Sequence, residues 1–198
     1  MARTQAADYE QRRGTIVDTA ARLYATKGFL GASISDLAEA LGASKSLVYH
    51  YYASKEEILF EVMDSHLQDL DRAMAEVLAL ALSPPETLRE LTRSFMRLYV
   101  GAADRHKVLL NELDNLPAEQ RADIVSRQRV LIRAVEQLLI EIQPRLKRRK
   151  RDLTPTAMLY FGMINWTHTW FRPTGGASDQ KVADLAVDIT LRGLEGLI

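Results

Sequence analysis

Between Ser33 and Lys55 the chain gathers Lys45, His50 and Lys55, three tyrosines and a run of serines into one short segment. These side chains donate hydrogen bonds and carry positive charge, and donors of that kind suit a polyanion that also offers base edges. Catalysis is a poorer fit. The sequence holds no His-Glu-x-x-His, Gly-x-Ser-x-Gly, phosphate-loop or dinucleotide glycine motif, and its four His are scattered without metal-ligand spacing. The reading is therefore a non-enzyme with no metal and no cofactor. Lys45 is the best candidate for reading a base, with Ser44, Ser46 and Leu47 beside it in the first turn of a short helix. Ser33, Tyr49, His50 and Lys55 are placed on the flanks, where they would contact phosphates and fix register.

Capping signals show how such a segment would be positioned. Ile16, Ala20, Leu23 and Tyr24 repeat at helical spacing, so a first helix is expected from about Tyr9 to Lys27, stopped by Gly28. Ser33 and Asp36 form a capping box for a short helix over 34–41, and Gly42 supplies a left-handed stop. Ser44 caps a third helix reaching Tyr51 or Tyr52, and a second box, Ser54 with Glu57, opens a long fourth helix to about Leu80. Two short helices joined by a tight glycine turn have the form of a helix-turn-helix, whose second helix enters the DNA major groove. The same pattern also fits a small three-helix core of Ile34, Leu37, Ala38, Leu41 and Val48 with no DNA role, as in a helical adaptor or interaction protein.

Downstream, Ser83-Pro84-Pro85-Glu86 starts a fifth helix ending near Gly101, and a shorter sixth is expected over Lys107–Leu116. After Pro117 a long seventh helix carries the stripe Ile124, Gln128, Leu131, Val135, Leu138 and Ile142, closed by Pro144. Lys147 to Arg151 reads as a basic loop, Thr154-Pro155 opens an apolar helix running to Phe171, and Ser178 caps the last helix. No strand-like alternation or hairpin turn interrupts this series. The expectation is an all-α chain of about nine helices, with a helix-turn-helix head over 1–54 and a helical ligand-binding and dimerisation domain over 55–198.

Composition narrows the classes further. Formal net charge is zero, and residues 1–55 hold seven Lys and Arg against five Asp and Glu, so the excess there is only two. Non-specific DNA affinity should then be modest and salt-sensitive, and pairing two subunits would strengthen it. With no Cys there is neither a disulfide framework nor a thiolate metal site, the N-terminus lacks a signal-like apolar run, and the most apolar stretch, 157–170, is interrupted by Asn165 and His168. A cytoplasmic protein without a membrane span is expected.

The residues from Gly42 to Leu59, Gly-Ala-Ser-Lys-Ser-Leu-Val-Tyr-His-Tyr-Tyr-Ala-Ser-Lys-Glu-Glu-Ile-Leu, resemble the signature of TetR-family transcriptional regulators. The resemblance extends back through Ala20, Phe29 and Ile34 to Ala38, and a nine-helix plan suits the chain length. Ser46, Tyr52 and Ala53 depart from the Gly, Phe and Pro frequent in that family, which leaves the operator sequence open. The resemblance implies a dimeric repressor bound to a double-stranded DNA operator and released by a small-molecule effector.

It also implies an effector pocket in the C-terminal half and a dimer interface built from the last two long helices. Phe95, Met96, Tyr99, Leu109, Leu110, Leu113, Leu131, Met158, Phe161 and Asn165 are the apolar and weakly polar residues from which such a pocket would be drawn, although at helical spacing they read equally as core. Leu159, Met163, Trp166 and Trp170 are assigned to one face of the apolar helix, with Val182, Leu185, Ile189 and Leu194 of the last helix, toward a partner subunit. Met158, Phe161, Asn165 and His168 fall nearer the opposite face. Burial of both faces within one domain is the alternative. The stretch Gly162 to Gly176 further resembles TetR regulators of fatty-acid, phenylacetate and steroid catabolism, several of which sense acyl-CoA thioesters. On that resemblance Trp170 would stack on adenine while Arg172 and the basic run 147–151 pair with phosphates; a solvated loop is the competing reading of that run.

Overall fold

Local capping sets the order of elements. The computed structural model describes residues 2–196, with the backbone alone at 2–7 and at Lys150, so the side chain of Lys150 in the expected basic run lies outside the described residues. Nine helices exceed one turn among the described residues: α1 (Ala2–Lys27), α2 (Ile34–Ala40), α3 (Lys45–Tyr51), α4 (Lys55–Leu78), α5 (Pro84–Gly101), α6 (Ala103–Asn111), α7 (Ala118–Ile142), α8 (Lys150–Asn165) and α10 (Asp179–Gly196), with a single turn, α9 (Thr167–Trp170), between the last two. No strand occurs among them, and no helix is long and apolar enough to cross a membrane.

The chain divides into two compact units. The first contains residues up to His66 together with Asp104–Ile124; the second contains Leu67–Ala103 and the chain from Val125 onward. Residues of α4 fall in both.

In the first unit Ile16, Val17, Ala20 and Tyr24 of α1 are buried, as are Leu37 and Ala38 of α2, Val48 of α3 and Ile58, Leu59 and Val62 of α4. Ser33 accepts from the Asp36 amide, and the Asp36 carboxylate accepts from the Ser33 amide at 2.8 Å, which closes the expected box. Gly42 adopts φ +60°; its amide donates to Glu39 and that of Ala43 to Ala38, the paired bonds of a Schellman stop that a left-handed residue makes possible. α1 begins seven residues earlier than expected, because Ala2, Gln5, Ala6 and Ala7 are helix formers and nothing breaks the run. At the start of α4 the Ser54 hydroxyl accepts from the Glu57 amide, but the Glu57 carboxylate accepts from the Ala53 amide at 2.7 Å, one residue before the expected partner.

The second unit packs α10 against α5 and α8. Leu88, Leu91, Phe95 and Met96 of α5 are buried, with Tyr160 and Ile164 of α8 and Ala183 and Val187 of α10. Thr92 and Tyr160 share a buried hydroxyl hydrogen bond of 2.8 Å. Arg93 grips Asp184 with two bonds, 2.8 and 3.0 Å, and Arg89 reaches Asp188 at 2.6 Å, so α10 is fastened to α5 by charge as well as by apolar contact.

Three expected boundaries shift. α6 runs Ala103–Asn111 rather than 107–116: Asp104 suits its first turn, and the chain then tightens into a 3-10 turn, Leu113–Asn115, before Pro117 disfavours helix at Leu116. The basic run is not a loop, since Pro144–Lys147 forms a 3-10 turn anchored by buried Leu146 and α8 starts at Lys150, placing Pro155 inside the helix. The expected helix to Phe171 ends at Asn165. There Thr167 donates to the Ile164 carbonyl at 2.5 Å and His168 Nδ1–H to the Asn165 carbonyl at 2.7 Å, side-chain bonds that compete with the helical ladder.

Candidate nucleic-acid interface and effector region

On α3 the cap and the core together decide which side chains face outward. Ser44 holds extended backbone angles, and its hydroxyl accepts from the Leu47 amide at 3.2 Å. Val48, 1 % exposed, is the inward anchor; Leu47 and Tyr51 are half-buried beside it. A helix with that row fixed must turn Lys45, Ser46, Tyr49 and His50 to solvent, and all four are exposed, Tyr49 by 52 %. The result is one outward surface of an ammonium, a hydroxyl, a phenol and an imidazole on a helix two turns long. Such a surface can donate to base edges and phosphates.

The flanking residues differ. Ser33 is exposed, but its hydroxyl is committed to Asp36, whose carboxyl is held well below the usual carboxylate range by the Lys27 ammonium at 2.7 Å and by the Ser33 donors. Lys55 does not reach outward: its ammonium donates to the Phe29 carbonyl and lies 3.9 Å over the Phe29 ring, a cation–π position that ties α4 to the end of α1. The sequence reading also missed the N-terminal half of α1. The Tyr9 ring lies 4.8 Å from that of Tyr51, tilted by 35°, and Arg13 bonds to Tyr52 and, at 3.0 Å, to Glu61. The four-residue spacing of Tyr9 and Arg13 carried that signal.

The residues expected to line an effector pocket separate into four groups. Phe95, Met96, Tyr99, Leu131 and Phe161 are buried in the second unit, and burial pushes the Tyr99 hydroxyl far above its ordinary pKa. Leu109 is buried and Leu110 and Leu113 are half-buried in the first unit. Asn165 is half-buried with an Oδ1 that has no hydrogen-bond partner among the described residues. Met158, by contrast, is exposed: it shares the outward face of α8 with Leu159, because neighbours on a helix lie about 100° apart and Tyr160 and Phe161 take the inward positions. Trp170 and Arg172 are exposed as well, with the Arg172 guanidinium donating to the neighbouring Phe171 carbonyl.

A long apolar face crosses α8 and α10. Leu159 is 72 % and Trp166 64 % exposed, and Leu185 and Ile189 of α10 are likewise outward. Thr156, Leu159 and Met163 border a groove of about 390 Å³ with Ile189 and Gly193. Leu194, expected to face a partner, is buried in the groove's floor.

Two family models account for the chain in this order. Residues 16–62 match the bacterial regulatory proteins of the tetR family, and residues 81–194 match the tetracyclin repressor-like C-terminal domain. The chain belongs to the TetR family of transcriptional regulators. Among relatives of this TetR-family protein is the HTH-type transcriptional repressor KstR2 of Rhodococcus jostii RHA1, 25 % identical over 92 % of this chain and 91 % of that one. Its fold is shared with a TetR-family regulator from Bordetella parapertussis, at TM-score 0.90 and 35 % identity over 96 % of this chain and 98 % of the other. AibR in complex with isovaleryl coenzyme A and operator DNA is similar at TM-score 0.80 and 29 % identity, over 90 % and 97 % of the two chains.

Proposed function

We propose that this TetR-family protein is a homodimeric repressor that binds a palindromic operator through α3 and is released by a small apolar or acyl-CoA effector. The observation that carries the DNA-binding part is the outward surface of Lys45, Ser46, Tyr49 and His50, held by the Ser44 cap and the Gly42 stop. Dimerisation is supported by the exposed apolar face of α8 and α10, where Leu159, Leu185 and Ile189 are outward and Leu159 and Ile189 border a groove shared by the two helices. An acyl-CoA effector is supported by AibR, whose complex holds isovaleryl coenzyme A. Beyond the C-terminal end of α8, Trp170 offers an exposed ring for a purine and Arg172 an exposed guanidinium for phosphate; the exposed cations Arg145, Lys147, Arg148 and Arg151 stand at the opposite end of that helix, about 24 Å along it.

The coupling is a population shift: effector favours a state in which α4 no longer holds the two α3 helices at the spacing of the half-sites, so its strength equals the effector's differential affinity for the two states. Duplex binding by the purified protein, titrated with salt, tests the reading. Binding should weaken steeply as salt rises and weaken again for Lys45→Ala; binding to no duplex at low salt would leave a helical interaction protein instead.

A further inference from the structure

Arg12 and Arg13 are neighbours on α1 with opposite fates. Arg13 is held by Tyr52 and Glu61, whereas Arg12 is exposed and makes no hydrogen bond or ion pair among the described residues. Arg12 stands at a cleft of about 250 Å³ between α1 and the turn joining α2 to α3, lined also by Thr15, Gly42, Ala43, Leu47 and Tyr51. At roughly 30 Å³ per water, that space accommodates a phosphate group with several waters.

The lining chemistry favours an anion. No Asp or Glu contributes to it, and Ile16, Leu47 and Val48 give it an apolar floor that strengthens any charge interaction above. The Thr15 hydroxyl donates to the Gln11 carbonyl, which leaves the Arg12 guanidinium and the Tyr51 phenol as donors. Tyr51 is held by the tilted Tyr9 ring and by the His50 ring, edge-on at 5.2 Å. Location adds a second argument. Leu47 and Tyr51 form the helical row next to Ser46 and His50, so the cleft borders the outward surface of α3 and faces whatever backbone that surface approaches.

We infer that this cleft seats a backbone phosphate of bound DNA, with Arg12 as the cation and Tyr51 as the second donor, and that α1 thereby acts as a positioning element for α3. The inference rests on the DNA-binding reading above. The phosphate seat carries no sequence information, because a phosphate is the same at every base pair.

The test is fluorescence anisotropy with the full chain against a selected duplex and a random-sequence duplex, each over a series of potassium chloride concentrations. Arg12→Gln should weaken both duplexes by the same factor, about tenfold or more near 0.1 M salt, and make the slope of log K against log salt shallower by about 1.8 for the dimer, about 0.9 for the un-neutralised phosphate at each subunit. Arg12→Lys should fall between the two, and Tyr51→Phe should weaken both duplexes with the slope intact. Circular dichroism should show unchanged folding, since the Arg12 side chain holds no other element in place. An unchanged slope and affinity in Arg12→Gln, with wild-type protein binding normally, overturns the phosphate assignment alone. A loss confined to one sequence also overturns it, by making Arg12 a base reader. Failure of the wild-type protein to bind any duplex at low salt overturns the DNA-binding reading and this one with it.

Discussion

Lys45 stands one residue inside the Ser44 cap, exposed and at the leading end of α3. Lys45→Ala should cost about 1–3 kcal/mol of discrimination at one base pair, read as a flattened preference across duplexes substituted singly at each position. A second residue-scale consequence concerns His66, buried and hydrogen-bonded to His106 at 3.2 Å. Burial, and then the Arg105 guanidinium, push its pKa down to about 4. The unfolded imidazole, near 6.5, takes up a proton first, so stability is full above that value and falls as pH drops from about 6.5 toward 4. Thermal melts of His66→Gln should show a shallower fall across that window than wild type; parallel curves would contradict the assignment. Much at this scale is readable in the sequence. The outward set on α3 follows from one buried valine and helical geometry, whereas the engagement of Lys55 with Phe29 lies 26 residues back along the chain and needs the tertiary fold.

Elements are legible where capping chemistry is strong and obscure where side chains compete with the ladder. Ser33 with Asp36, Gly42, Ser44 and Ser83-Pro84 mark true ends because each supplies a specific bond or backbone angle. The break at Asn165 is hidden, since Thr167 and His168 look like ordinary helical residues until their side chains cap the preceding carbonyls. The outward face of Met158 escapes sequence reading for a related reason: an apolar stripe on nearly every side of α8 gives no single inward direction. The α5–α10 clamp yields an element-scale prediction. Hydrogen bonds and charge from Arg93, and then Arg89, hold the Asp184 carboxyl below its usual range, so its contribution is present above about pH 4 and lost as pH falls through the folded value. Asp184→Asn should lower stability by roughly 1 kcal/mol at pH 7 in urea melts, and the difference from wild type should shrink on acidification. A constant difference down to acid pH would show that the pair contributes packing alone.

At the scale of the whole molecule, a net charge of zero supplies no long-range field toward DNA, so the proposed binding must rest on local contacts and on the pairing of two subunits. The outward apolar face of α8 and α10 is the surface proposed above for pairing. Leu159→Glu should convert a dimer to a monomer in sedimentation velocity and reduce duplex affinity without altering helical content; an unchanged sedimentation coefficient would place the dimer contact elsewhere. Effector response belongs to this scale too. Replacing Trp170 or Arg172 should abolish release by thioester while operator binding persists, and joint loss of both would indicate structural damage rather than a ligand contact. The most direct single measurement is selection of bound duplexes from a random pool by the purified protein, repeated in the presence of a panel of acyl-CoA thioesters. Recovery of a palindrome that disappears only with certain thioesters is the predicted result, whereas enrichment of no sequence at low salt would contradict the DNA-binding account itself.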